Sequence, residues 1–224
     1  MLARAGQLAT TAGACAPWWR AGPHGRFLLH SRAIDVLVIC TGNICRSPMG
    51  EALLRHHLET RGVAARVHSA GTMRWNGPAT DEAVDALRDY GLDLSPHRSR
   101  SLTPGLVDAT DLVLGMTRTH VDFVTTRCPD AAGKTFMVRE LARLGRVVGP
   151  RAAGEPVAAW LARVATLREP GRPVGHPQDE IDDPVGEPVE VYRRTAALLD
   201  ASLTTVAELL AGTEQRGIEQ TGVA

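Results

Sequence analysis

Cys40 and Arg46 bracket the stretch Cys40-Thr41-Gly42-Asn43-Ile44-Cys45-Arg46-Ser47-Pro48, and their types and spacing suit one kind of chemistry. A thiolate, not a thiol, is the nucleophile, and a helix N-terminus and an arginine both favour the anion. The guanidinium is a planar fork of donors that can hold two oxygens of a phosphoryl group and follow them as they flatten in the transition state. Cysteine, five residues, then arginine therefore reads as a phosphate-binding nucleophile site. The Walker loop is a different device, with a lysine and no nucleophile, and its pattern is absent. A buried cysteine that merely ends a strand is the plainer alternative, but it leaves the spaced arginine and the helix start as coincidences.

The elements around this loop follow from the pattern of apolar residues. Ile34 to Ile39 is apolar except for Asp35 and reads as a strand, while Ala52, Leu53 and Leu58 recur at helical spacing over Met49 to Thr60. Ser47 suits an N-cap and Pro48 the first helical position, so the helix is expected to start where the loop ends. The helix dipole and unpaired N–H groups would then converge on one point, where an anion belongs. Asn43 sits where the loop must bend sharply, and asparagine tolerates the left-handed conformation better than most residues.

Beyond the loop, strand and helix alternate. Val63–Ser69 reads as a second strand, Thr80–Asp89 as a helix with Asp81 and Glu82 in its first turn and Gly91 just beyond, Leu112–Met116 as a third strand and Thr135–Val138 as a fourth. Pro188–Leu210 suits a long final helix. Alternating units of this kind predict an α/β fold: a three-layer, doubly wound sheet of about four parallel strands with helices on both faces. Ligands of such sheets sit beyond the carboxyl ends of the strands, where the Cys40 loop lies. The chain from 145 to 180 is rich in Gly, Pro and Arg, with one possible helix over Val157–Leu167. It reads as an insertion that either covers a site or is simply tolerated.

Cys40-Thr41-Gly42-Asn43-Ile44-Cys45-Arg46-Ser47-Pro48-Met49 resembles the signature of the low-molecular-weight protein tyrosine phosphatase family. The resemblance continues in Ser69-Ala70-Gly71-Thr72, Trp75, His97-Arg98-Ser99-Arg100, Asp111 to Met116 and Asp183-Pro184, and spans most of residues 34–212. It implies Cys40 as nucleophile, Arg46 as phosphoryl ligand and Asp183 as the acid that serves the leaving oxygen. Thr41, Gly42, Asn43, Ile44, Cys45 and Ser47 would form the substrate-binding loop, and Trp75 an aromatic wall. By the same resemblance Asn43 is held by Ser47, Ser69 and His97, a network that shapes the loop before phosphate arrives. Cys45 either captures an oxidised Cys40 as a disulfide or packs its side chain inward. Asp182 is an adjacent competitor for the acid, and Asp111 is assigned to the entrance of the third strand. Two departures stand out: Val185-Gly186 replace the aromatic residues common after the Asp-Pro pair, and Thr117 replaces a common aspartate.

The 224 residues suit one α/β domain with additions, and 25 basic against 25 acidic side chains give no electrostatic case for nucleic acid or a membrane surface. No apolar run reaches the roughly 18 residues of a membrane span. Residues 1–33 carry four arginines and no acid, yet lack helical periodicity, and are expected to be a flexible extension to a phosphatase-like domain over 34–224. Cys15 and Cys128 are isolated in sequence, so the four cysteines make no disulfide framework, and a reducing cytoplasm is expected. The resulting expectation is a phosphatase without metal or cofactor, acting on phosphotyrosine in proteins or peptides. Phosphoarginine is the first competitor, against which Ile44 stands, because relatives with that preference typically carry threonine there. Arsenate reduction, which would need further resolving thiols, and a non-catalytic phosphate-binding module complete the alternatives. Oligomeric state is not legible in the residues.

Overall fold

The computed structural model describes residues 33–169 and 175–212. The extension expected over residues 1–33 lies outside these, except for Ala33, as do residues 170–174 of the insertion. Strand β1 (Ile34–Cys40) is flanked by β2 (Ala65–Gly71) and β3 (Leu112–Gly115), and β4 (Thr135–Met137) lies beyond β3. The order is β2-β1-β3-β4 and every pairing is parallel. Sequence order reverses at β1, so a crevice opens beyond its carboxyl end.

Because side chains alternate along a strand, β1 feeds both layers. Val36, Val38 and Cys40 join the larger core with Met49, Leu53 and Leu58 of α1 (Arg46–Thr60) and Leu199, Leu203 and Val206 of α7 (Val189–Ala211). Leu37 and Ile39 point the other way, to Val107 of α3 (Pro104–Asp108) and Val124 of α4 (Arg118–Arg127). Burial on both faces explains the nearly continuous apolar run. Asp35, the exception, is satisfied: Arg66 Nε donates to it at 2.8 Å, and His68 Nε2 lies 2.7 Å from its other oxygen. Asp111 ties the start of β3 to β1, its carboxylate accepting the Asp35 N–H at 2.9 Å and its own N–H reaching the Asp35 carbonyl at 2.8 Å.

Several boundaries differ from expectation for physical reasons. β2 runs two residues later, since Ile34 pairs with Ala65 and Val63 instead donates to the Leu58 carbonyl to close α1. Ser47 is not the N-cap of α1. The cap is Cys45, and Ser47 is buried within the first turn, its hydroxyl recruited by the loop. Helix α2 (Asp81–Arg88) begins as expected on the Thr80 cap, whereas α3, α4 and α5 (Val138–Val148) were not foreseen.

The insertion contributes α6 (Val157–Ala165), two residues shorter than the expected helix. Trp160, Leu161 and Val164 are buried, and the Trp160 indole donates to the Gly149 carbonyl at 3.0 Å. Arg168 grips the buried carboxylate of Glu140 at 2.9 and 3.0 Å and lies 4.0 Å over the Phe136 ring. The described part of the insertion is thus fastened to α5 and β4.

Candidate active site

The chain leaves β1 at Cys40 and enters α1 at Arg46, and the loop between them is shaped by Asn43. This residue is the non-glycine with positive φ (54°) among the described residues, and it is fully buried. Its side-chain amide donates to Ser47 Oγ at 2.9 Å and Ser69 Oγ at 2.8 Å, its side-chain oxygen accepts the Arg100 N–H at 2.9 Å, and its backbone carbonyl lies 2.7 Å from His97 Nε2. The structure therefore brings together Asn43 and Ser47 of the loop with Ser69 and His97, from three separate parts of the chain. Arg100 and Glu51 were missed: the Ser69 hydroxyl in turn donates a hydrogen bond to the Glu51 carboxylate at 2.6 Å. At Gly71 a Cβ would stand 2.7 Å from the Thr41 carbonyl, so glycine there lets β2 and the loop close up.

Cys40 lies at the bottom of the loop, 3% exposed. Its sulfur accepts the Asn43 N–H at 3.3 Å and sits 3.0 Å from the Ser47 hydroxyl. Both contacts come from within the loop, so the groups that shape it also hold the sulfur in place. Arg46 is also 3% exposed. Its Nη1 donates to the Ile181 carbonyl at 3.1 Å and its Nη2 to the Asp183 carboxylate. The buried Nε has no hydrogen-bond partner among the described residues. An unmet buried donor costs on the order of 1–3 kcal/mol, and a tetrahedral oxyanion held in the loop is an acceptor that fits a guanidinium.

A cavity of about 220 Å³ opens over these groups. Cys40, Arg46 and Asp183 line its polar end, and Ile44, Met73, Trp75 and Val185 form an apolar wall, with Thr41, Gly42 and Cys45 completing the lining. Trp75 and Val185 are 56% and 54% exposed, so the wall is a rim rather than a closed slot. Asp182, exposed, is absent from this lining, and so is every residue of the insertion from 145 to 180. The Asp183 segment is anchored by Ile181 N–H to the Met116 carbonyl at 2.8 Å and by Arg139 to the Glu180 carbonyl at 3.2 Å.

Cys45 turns away from the bulk solvent, 2% exposed, with Thr80 Oγ1 at 3.6 Å and the Tyr192 hydroxyl at 3.7 Å. Burial pushes its pKa up, against the hydrogen bonds from Thr80 and Tyr192. Burial likewise pushes Tyr192 up to about 12. His120 was missed. It is 3% exposed and touches the loop through Thr41 Oγ1, 3.1 Å from its Nε2. Its signal was the spacing Thr117-x-x-His120, a capping box with histidine in the usual Glu or Gln place.

A doubly wound parallel sheet with a cysteine-and-arginine loop between the central strand β1 and helix α1 defines a class of α/β proteins. Comparison with known proteins narrows that class. The family profile described as low molecular weight phosphotyrosine protein phosphatase matches residues 35–146. A probable low molecular weight protein-tyrosine-phosphatase, EpsP of Ralstonia nicotianae, is 42% identical over 107 residues, covering 47% of this chain and 71% of that protein. The protein-arginine-phosphatase of Bacillus subtilis is 40% identical over 108 residues, covering 48% and 71%. Among solved structures, a low molecular weight protein tyrosine phosphatase from T. tengcongensis superposes with a TM-score of 0.61 at 30% identity, over 80% of this chain and all of that one (100%). The tyrosine phosphatase Wzb of Escherichia coli K30, in complex with sulphate, gives 0.57 at 28% identity over 78% and 96%. The chain belongs to the low-molecular-weight phosphotyrosine protein phosphatase family.

Proposed function

We propose that this protein hydrolyses phosphotyrosine in protein or peptide substrates through a cysteinyl-phosphate intermediate. One observation carries the reading: Cys40 and Arg46 of the loop and Asp183, far from them in sequence, line one cavity together with the apolar side chains of Ile44, Met73, Trp75 and Val185. The phosphoryl group lies in the Asn43-shaped loop, where Arg46 Nε and the loop N–H groups supply donors. The Cys40 thiolate attacks phosphorus, the P–O bond to the leaving group breaks, and protonated Asp183 gives its proton to the departing phenolate oxygen. Asp183, now a carboxylate, takes a proton from water as that water attacks the cysteinyl phosphate. Inorganic phosphate leaves and the thiolate is restored.

Ile44, Met73, Trp75 and Val185 suit an aromatic leaving group better than a charged guanidinium, since each presents apolar surface. The Bacillus relative favours phosphoarginine as the second reading, because that protein acts on arginine in a chain as similar to this one as the Ralstonia relative. Arsenate reduction is less well supported. Cys128, the remaining described thiol, caps α4 beside Val124 and Ala131 on the opposite side of the sheet, remote from the cavity that Cys40 lines. A thiol nucleophile must stay reduced, and we place the enzyme in the cytoplasm on that ground. Turnover on phosphotyrosine peptide, phosphoarginine protein and arsenate with thiol reductant tests the proposal. The expected rank is phosphotyrosine first, and preferred turnover of either other substrate overturns it.

A further inference from the structure

His120 has no part in the reaction described above, yet it is buried against the loop. It occupies the third position of α4, where its Nδ1 accepts the Thr117 N–H at 3.1 Å and lies 2.8 Å from the Thr117 hydroxyl. A nitrogen that accepts a backbone N–H carries no proton of its own. Burial, reinforced by the nearby Arg46 charge and opposed by Glu180, pushes the ring's pKa down to about 4, so the ring is neutral near pH 7. A neutral imidazole with Nδ1 bare has its proton on Nε2. That nitrogen faces Thr41 Oγ1 at 3.1 Å, which fixes the direction of the bond: His120 donates and Thr41 accepts.

A threonine hydroxyl that already accepts still has its own proton to give. Thr41 lines the cavity beside Cys40, Arg46 and Asp183, where an anionic phosphoryl group would be the strongest acceptor within reach. The ring is also well fixed. Glu180 accepts from both the N–H and the Nε of Arg118, at 3.2 and 2.8 Å, clamping the first turn of α4 to the segment that leads to Asp183.

We propose that His120 is a positioning residue that presents the Thr41 hydroxyl as a hydrogen-bond donor to an oxygen of the bound phosphoryl group. The proposal rests on reading the cavity as a phosphoryl site, but it can fail or hold independently of tyrosine phosphatase activity.

The test compares Thr41→Val, His120→Leu, His120→Gln and the double Thr41→Val/His120→Leu variant with the parent. Inorganic phosphate affinity is measured by calorimetry, and kcat and KM on a phosphotyrosine peptide are measured alongside. Thr41→Val and His120→Leu are each expected to weaken phosphate binding by about tenfold, the scale of one hydrogen bond to a charged group. The double variant should be no weaker than either single one, because both remove the same contact. His120→Gln, whose amide nitrogen can stand near the position of Nε2, should restore most of the affinity. Additive losses, or unchanged phosphate affinity in His120→Leu, overturn the proposal. Should His120→Leu fail to fold, Thr41→Val decides alone, and undiminished phosphate affinity overturns it. A protein that shows this pattern with phosphate yet hydrolyses no phosphotyrosine supports the role of His120 and refutes the proposed function. Turnover with phosphate binding indifferent to Thr41 does the reverse.

Discussion

The Arg46 guanidinium donates from Nη2 to Oδ2 of Asp183, a residue 137 positions further along the chain. The same guanidinium donates from Nη1 to the Ile181 carbonyl at 3.1 Å. A single buried cation thereby aligns the segment carrying the carboxylate with the loop that carries the thiol. The Asp183 side chain is 44% exposed, so water screens the pair, and its consequence is placement more than stability. Asp183 also accepts the Val185 N–H at 3.3 Å through its other oxygen, which holds the carboxylate toward the cavity.

Replacing the two neighbouring aspartates should separate their roles. General acid catalysis contributes typically about a hundredfold to ten-thousandfold, and more as the leaving group becomes more basic. Asp183→Asn should slow a phenolic ester far more than an ester with a strongly acidic leaving group, while Asp182→Asn should change both little. Rates of both variants on the two esters provide the check. A large leaving-group dependence in Asp182→Asn, with parental behaviour in Asp183→Asn, would move the acid to the other carboxylate.

In the proposed mechanism attack requires the Cys40 thiolate, whereas the loop amides and Arg46 would do the cradling. Cys40→Ser should therefore abolish turnover and retain phosphate binding, and Arg46→Lys should be nearly as damaging, because lysine cannot reproduce the two-pronged contact. Hydrolysis near the parental rate in Cys40→Ser is the result that sinks the nucleophile assignment.

Asn43 should be costly to replace despite making no contact with solvent. Alanine at φ 54° costs roughly 1–2 kcal/mol of backbone strain, and the Ser47, Ser69 and Arg100 groups that it pairs lose their partner. Asn43→Ala should lower the melting temperature and reduce turnover together. Turnover that falls with melting temperature unchanged would instead place Asn43 in direct contact with substrate.

The buried His120 predicts a dependence of stability on pH. Its pKa falls from 6.5 to about 4 in the folded chain, so between those values the unfolded chain binds more protons than the folded one. Stability is then full above about pH 6.5 and declines as pH falls toward 4, by as much as about 3 kcal/mol in all. Denaturant unfolding from pH 7 to pH 4 measures it. His120→Gln should flatten the profile over this window, and an unaltered profile would show that other groups set it.

Cys45 shares the loop with Cys40, and mild peroxide should inactivate the protein reversibly if the two can join as a disulfide. Burial keeps Cys45 largely in its thiol form, so disulfide formation should speed up as pH rises. Cys45→Ser should recover less well on treatment with thiol reductant. Equal recovery of parent and variant would leave Cys45 with its packing beside Thr80 and Tyr192.

The residues alone determined what is local. Strand, loop and helix follow one another without a break from Ile34 to Thr60, so the apolar run, the bend at Asn43 and the cysteine-to-arginine spacing could all be read in order, and alternating units gave the parallel sheet. Helix α4 escaped because its signal is mixed. Arg118–Arg127 contains three threonines and buries only His120, Val121 and Val124, too sparse a stripe to stand out. Ser47 shows the limit of local chemistry: a good capping residue by type, it serves Cys40 and Asn43 once the fold has buried it. What only the tertiary structure decided is which distant groups meet the loop. Arg46 meets Asp183 across 137 residues, and Thr41 meets His120 across 79. No periodicity encodes such pairs, because they are set by the register of β1 against β3 and by where the chain after Met116 is pinned, through the Ile181 N–H, to the end of the sheet.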